Sequence, residues 1–374
     1  MSVEVMTRAD LVAQQLPGRQ PPVVREQARD RVDIRLFNDT PADEQAWEAY
    51  VARSPQATSD HRWGWRRVLG KAFGFAPHFL AAVEQERVVG ILPLFEVPRG
   101  FRRVALVSIP FGNYGGICAD APAAAAALLA AAKDLLAERR GECLELRHRV
   151  PVAEETLQLQ PLYHRFSLPI DGGPEAMFQA MSSNKRRQVR RAIGGGLRVI
   201  VSRDVGPLYP IHVHTSRRLG TPCFPRRYFE EILREFGDTA TILFVIKADR
   251  PIAFDVLLPF KDSLVCQFSG SLTPFFSFYP NDFLFWCAIQ HGYALGLHEI
   301  DYCRSRTDSG SAAFKRQLRM REEPLAYQYY LPHGQPVPQR NPSNPKYRLA
   351  IRAWQRLPLG LTRALGPAIV RYLA

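Results

Sequence analysis

The sequence predicts a mixed α/β protein of two tandem domains, followed by an amphipathic helical tail. Three observations point there. At roughly 100–200 residues per domain, a chain of 374 residues has room for two domains. An apolar hairpin followed by a helix and a strand occurs twice, about 165 residues apart, which reads as a duplication. Beyond Glu323 the acids stop, and arginines alternate with apolar residues at helical spacing. The expected divisions are a flexible segment over 1–30, domains over 31–165 and 166–332, and a basic tail over 333–374.

In the first domain, Val32-Asp33-Ile34-Arg35-Leu36 alternates as a strand does. Thr40 then caps a helix with Pro41 at its first position. A second helix is expected over 63–73. Phe79 to Val83, a polar turn at 84–87, and Val88 to Phe95 form the first hairpin. A strand over 104–109 and an Ala-rich helix over 121–139 follow, with Gly141 closing the helix. Cys143 to Arg147 is the next strand.

The second domain repeats this succession. A basic helix over 182–193 stops at Gly194-Gly195-Gly196, and a strand covers 197–201. Helical segments are expected near 212–218 and 228–236. Ile242 to Ile246, a turn at 247–250, and Ile252 to Phe260 make the second hairpin, each turn closing on an arginine (Arg87, Arg250). A strand over 264–269, a helix capped by Asn281 and ended by Gly296, and a strand over 297–303 complete the order. Hairpins followed by helix-and-strand units imply mixed sheets covered by helices.

Composition narrows the function. Apolar residues make up 46% and charged residues 23%, as in a globular protein with a real core. The net charge of +13 favours acidic partners such as nucleic acid, an anionic lipid surface or a phosphorylated substrate. The six cysteines form no C-x-x-C pair and read as buried hydrophobes of a reducing compartment. Apolar runs fall short of the roughly 18 residues that span a membrane, and Glu4, Arg8 and Asp10 argue against a secretory leader. The expected location is the cytoplasm. The chain lacks G-x-S-x-G, a Walker loop and metal-spaced His or Cys, so hydrolase, nucleotide-hydrolase and metalloenzyme readings lose their best support and no metal ligand is assigned.

Three segments carry a family resemblance. They are Ser182 to Ala192, His214 to Pro222 with Phe224-Pro225, and Pro280 to Trp286 with Ile300 to Ser305 and Phe314-Lys315. Their order and spacing resemble FemAB-like proteins of the GNAT superfamily, in the branch associated with exosortase (PEP-CTERM) and exopolysaccharide gene sets. The resemblance covers about 32–332. It implies two tandem GNAT-like acyltransferase domains and transfer of an aminoacyl or acyl group to an amine of a cell-envelope or exopolysaccharide precursor. It implies no permanently bound cofactor and a donor that is either aminoacyl-tRNA or acyl-CoA. The usual CoA loop opens a helix, whereas Arg191-Ala192-Ile193-Gly194-Gly195-Gly196 stands at a helix end, where the dipole repels anions.

Acyl transfer needs a neutral nucleophile, a polarised carbonyl and a route for one proton. Asp301, at the end of an apolar strand, is the candidate to orient or deprotonate the amine, with ion pairing to Arg304 as the structural alternative. Lys185, Arg186, Arg187, Arg190 and Arg191 form two basic stripes suited to phosphates. Arg304, Ser305 and Lys315 lie in or beside the closing Gly/Ser loop, and Lys315 could neutralise a phosphate or carboxylate. Asn113 and Tyr114, within Pro110 to Gly116, are either ligand contacts or parts of a turn. His214 with Arg217 could line the cleft. The tail, broken by Pro358 and Pro367, could lie on an anionic inner leaflet or pack on the domains. The expected partners are a phosphorylated or lipid-linked sugar precursor, tRNA and that membrane surface. The competing function is a non-catalytic RNA- or membrane-binding adaptor on the same fold.

Overall fold

The computed structural model describes residues 32–100, 103–332, 337 and 345–374. The expectation for 1–30 and most of that for 333–344 lie outside these residues. The first half runs β1 (Asp33–Phe37), α1 (Pro41–Arg53), α2 (Gly64–Phe73), β2 (Ala76–Glu84), β3 (Arg87–Pro98), β4 (Val104–Ser108), β5 (Cys118–Ala119), α3 (Pro122–Glu138), β6 (Leu144–His148) and β7 (Gln158–Gln160). The second runs β8 (Tyr163–Pro169), α4 (Gly173–Ala180), α5 (Ser183–Gly194), β9 (Arg198–Ser202), α6 (Val205–Leu219), α7 (Arg226–Glu235), β10 (Thr241–Lys247), β11 (Arg250–Phe260), β12 (Ser263–Ser271), α8 (Pro280–Ala294), β13 (Glu299–Arg306), α9 (Gly310–Gln317) and β14 (Arg321–Pro324). The chain then returns to the first sheet as β15 (Ala326–Tyr330) before α10 (Pro345–Arg356) and α11 (Leu359–Val370).

One sheet follows the order β1-β2-β3-β4-β6-β15-β7, with β5 on β3; the other follows β14-β8-β13-β12-β11-β10-β9. Each contains the same unit. The β2–β3 and β10–β11 hairpins turn through two left-handed residues, Gln85-Glu86 and Ala248-Asp249. This is the twist that a tight antiparallel turn requires. Each hairpin shifts register beyond the turn, at Ala82/Val83 and at Val245/Ile246. Leu92 pairs with Leu80 and Asp255 with Leu243, so Asp255 occupies in the second hairpin the place of Leu92 in the first.

Each unit then makes one short parallel pairing. β4 meets β6 only at Leu106–Val107 against Leu144–Glu145. β12 meets β13 only at Ser263–Val265 against Glu299–Asp301. One apolar core runs through both halves. Trp65 of α2 lies against Phe236, ring centroids 5.0 Å apart, and stacks on Tyr228 of α7.

Local chemistry explains most boundaries. The Thr40 hydroxyl accepts from Asp43 N–H, and Ser182 caps α5 by accepting from Lys185 N–H. Four expectations shift. α3 ends at Glu138, and Arg140 rather than Gly141 takes the left-handed position after it. α8 has Tyr279, itself left-handed, at its cap; Pro280 occupies the first turn and Asn281 lies inside the helix. The Gly/Ser segment after Asp308 opens α9, with Ser309 accepting from Ala312 N–H. Pro358 separates α10 from α11, but Pro367 is carried within α11.

Candidate functional site

The two short parallel pairings have different outcomes. Past Leu106–Val107, β4 and β6 diverge around the chain's own residues. Arg147 donates to the carbonyls of Ile109 and Gly112, each at 3.0 Å, and Gly116 N–H donates to Arg147 O. The segment Pro110 to Gly116 enters that opening, and a cavity of about 550 Å³ beside it is lined by His61, Tyr114, Gly116, Ile117 and His148. Past Val265 and Asp301, β12 and β13 also diverge, but a cleft of about 660 Å³ remains. Its walls come from β11, β12, β13, α6, α8 and α9.

Asp255 stands in this cleft. It is 2% exposed and lies opposite Ser269 of β12. Burial pushes its carboxyl up to about 7, with the Ser269 hydroxyl acting the other way. The group therefore changes charge near neutrality, as a proton acceptor must. Lys315 of α9 lines the same cleft, and its ammonium donates to the carbonyls of Tyr302 and Cys303. Burial lowers the Lys315 pKa, with Cys303 and Asp301 opposing. Thr215 of α6 holds the far end of β12, accepting from Ser271 N–H at 3.0 Å. The hydroxyl of Tyr302 has no hydrogen-bond partner among the described residues. Apolar walls come from Phe276, Leu284, Phe285, Phe314 and Met320.

Asp301 lies elsewhere, in a buried junction between the two halves. Its Oδ1 accepts from the Tyr114 hydroxyl at 2.6 Å and from Cys303 N–H at 2.7 Å, and its Oδ2 accepts from Arg165 Nε at 2.9 Å. Asn113 and Tyr114 donate their backbone N–H groups to Asp60 Oδ2, at 2.6 and 2.9 Å. Burial raises the Asp60 carboxyl against those two donors. Arg304 donates to the Tyr327 hydroxyl at 2.7 Å, and that hydroxyl donates to Asn113 O. The Asp301–Cys303 bond holds Cys303 left-handed, φ 57°, at the point where β13 shifts register against β8. Asp301, Asn113, Tyr114 and Arg304 are thus brought together, within one network that shapes the wall behind the cleft.

The basic helix is divided. Lys185 is buried and paired with Asp282 at 2.6 Å. Arg186 donates to the carbonyls of Gln179 and Met181, closing α4. Arg187, Arg190 and Arg191 are exposed, touching Asn184, the Phe178 ring and the Tyr279 hydroxyl respectively. Ser305 bonds Ser311 at 3.0 Å. His214 is half-buried, with its pKa lowered by burial and by Arg217 and Arg218. Arg217 donates to Leu357 O at the α10–α11 junction. Of the residues singled out from sequence, Lys315 alone lines the cleft. Asp255, Ser269, Tyr302 and Thr215 were not singled out. For Asp255 a signal existed: it is a lone carboxylate inside the apolar run Ile252 to Leu258, where the first hairpin carries Leu92.

All six cysteines are free and buried. Among the described residues, no group of His, Cys, Asp and Glu is placed to hold a metal, and no helix is long and apolar enough to cross a membrane.

Residues 179–316 match the acetyltransferase (GNAT) domain family. This is the segment that forms the open cleft. No curated protein matches the sequence significantly. Solved structures share the fold, these three among them. FemX is 13% identical, with 80% of this chain and 97% of that one covered and a TM-score of 0.62. A tandem GNAT protein from the clavulanic acid biosynthesis pathway is 11% identical, with 80% and 98% covered and a TM-score of 0.52. The C-terminal domain of a putative lysylphosphatidylglycerol synthetase from Agrobacterium fabrum is 15% identical, with 77% and 91% covered and a TM-score of 0.51. Residues 179–316 are thus similar to a GNAT acetyltransferase domain, and the chain has the mixed α/β fold of tandem GNAT-like proteins.

Proposed function

We propose that this transferase moves an aminoacyl or acyl group onto an amine of a cell-envelope or exopolysaccharide precursor, and that its working centre is the cleft between β12 and β13. One observation carries the reading: a buried carboxyl with a pKa of about 7, Asp255, stands in the open cleft of the half that matches the acetyltransferase family. On this reading residues 31–165 and 166–332 are two GNAT-like domains, and the second, which holds Asp255 and the family match, is the working one. The three-segment resemblance supports a FemAB-like protein of the exosortase and exopolysaccharide branch, and the likeness to FemX supports the fold that this reading needs.

The chemistry follows from the lining. The amine nitrogen of the acceptor attacks the donor carbonyl, and a C–N bond forms. Asp255, ionised above about pH 7, takes the proton that the nitrogen must shed. Beyond Val265 the backbone of β12 lacks a β13 partner. Backbone N–H groups on that side of β12, apart from that of Ser271, and the Lys315 ammonium are the donors proposed for the developing oxyanion. The thioester or ester bond to the donor then breaks, and the leaving group takes up a proton. Asp301 acts through Cys303 and Arg165, as a positioning residue. Arg187, Arg190 and Arg191 are the phosphate-facing candidates for a donor that is acyl-CoA or aminoacyl-tRNA. A phosphorylated or lipid-linked sugar acceptor places the protein on the cytoplasmic side of the inner membrane.

Mass spectrometry of products formed from purified protein, acetyl-CoA or charged tRNA, and a lipid extract tests the reading. A mass gain on an amine-bearing acceptor, absent in Asp255→Asn, is expected. Salt-sensitive tRNA binding without transfer from any donor would instead favour the adaptor reading, which the exposed arginines support.

A further inference from the structure

The tail is built with two different faces. α11 packs on α6 and against Cys223 beyond it, with Thr362, Gly366 and Val370, spaced four residues apart, all buried. The approach is close: a Cβ on Gly366 would lie 2.5 Å from Cys223 Sγ, and one on Gly220 at the end of α6 would lie 2.4 Å from Ile351 of α10. Trp354 Nε1 donates to Thr221 O and Gln355 Nε2 to Arg218 O, which fixes α10 as well. None of these contacts uses Leu361, Leu365 or Ile369. Leu361, Leu365 and Ile369 form the neighbouring stripe of α11, 49%, 47% and 39% exposed, and Tyr372, just past the helix, is 46% exposed. On α10, Arg348, Arg352 and Arg356 are also exposed, and among the described residues they form no ion pair. From 345 to 374 the sequence holds six basic residues and no acid.

Three occupants could cover such a face. A second copy would set six positive charges against six. A nucleic acid would meet the arginines but gain nothing from an aliphatic row. An anionic bilayer satisfies both parts, with apolar side chains at the acyl boundary and guanidinium groups among the phosphates. The position of the face also fits. The groove between α10 and the body, about 610 Å³, is lined by Arg348 and Arg352, and it shares Leu219 and Ser309 with the mouth of the Asp255 cleft.

We propose that α10 and α11 dock the protein on an anionic lipid surface, with Leu361, Leu365, Ile369 and Tyr372 at the acyl boundary and Arg348, Arg352 and Arg356 against the headgroups. The cleft mouth then lies beside the membrane. Docking deepens the reading of a lipid-linked acceptor, and its link to catalysis rests on that reading.

The test is co-sedimentation of the full chain with vesicles of phosphatidylcholine alone or mixed with phosphatidylglycerol. Binding to the mixed vesicles only, weakened by salt, is expected. At about 1 kcal/mol for each basic residue, the triple variant Arg348→Gln/Arg352→Gln/Arg356→Gln should lose about a hundredfold in partitioning. Leu365→Glu/Ile369→Glu should lose at least as much. Both variants change exposed side chains, so unchanged thermal melting shows that they remain folded. Equal sedimentation with both vesicle types, undiminished binding by both variants, or a dimer dispersed by Leu365→Glu/Ile369→Glu would overturn the proposal. Sedimentation does not depend on transfer, so a failure of docking and a failure of the transferase reading are seen separately.

Discussion

Asp255→Asn removes the proton acceptor of the cleft while keeping its shape. Two effects of opposite sign should follow. In the wild type, the dependence of kcat/KM on pH rises through about 7 and then levels, because the carboxylate is the active form. The amide cannot accept the proton, so the rate should fall by roughly 10²–10⁴-fold and the rising limb should vanish. Stability should move the other way. The folded pKa is raised from 3.8 to about 7, so between those values the folded state holds a proton that the unfolded state has released. Stability is therefore lost as pH rises through this window, and the loss is complete above about 7. About three pKa units correspond to about 4 kcal/mol. Asp255→Asn should accordingly be more stable than wild type by that order at pH 8, and nearly equal to it below pH 4, read from denaturant midpoints. A variant that keeps full activity, or keeps the rising limb, refutes Asp255 as the base. A variant that is less stable at pH 8 refutes the buried, neutral carboxyl.

Other outcomes follow from the same contacts. Lys315→Met strips the carbonyls of Tyr302 and Cys303 of their donor, so it should cost about 1–3 kcal/mol in denaturation and lower kcat by about 10²-fold. Asp301→Asn breaks a buried pair with Arg165 and should cost about 3–5 kcal/mol; Tyr114→Phe, losing one hydroxyl bond to Asp301, should cost about 1–3 kcal/mol. His61 and His148 are held near 4 by burial, so in the unfolded chain they take up protons that the folded chain refuses. In the Asp255→Asn protein, where one opposing carboxyl is gone, each histidine should contribute a loss of about 3 kcal/mol on acidification from about pH 6.5 to 4, set against the gain from the raised Asp60 carboxyl. Replacing His148 by Gln should flatten that slope.

The hairpins were legible because alternation, polar turns and flanking apolar strands are local signals. The basic helix and its Ser182 cap were legible for the same reason. The return of β15 to the first sheet was not, since Ala326–Tyr330 pairs with a strand almost two hundred residues earlier and no local pattern records it. Asp301 stood out as an acid at a strand end. Its partners Tyr114 and Arg165 are remote in sequence, so its saturated, buried setting emerged only in three dimensions. Asp255 was hidden by the strength of its surroundings: the apolar run fixed the strand, and the single acid inside it was the informative misfit. The basic stripes divided because helical spacing places Lys185 and Arg187 on different faces, one toward Asp282 and one toward solvent.

The central claim is that the cleft of the second half holds a carboxyl poised near neutrality. Carbon-13 NMR of aspartate-labelled protein, assigned by the signal missing from Asp255→Asn, measures it directly. A carboxyl that titrates at about 7 in the ligand-free protein agrees with the account. A carboxyl that titrates near 4, as an exposed aspartate does, contradicts it.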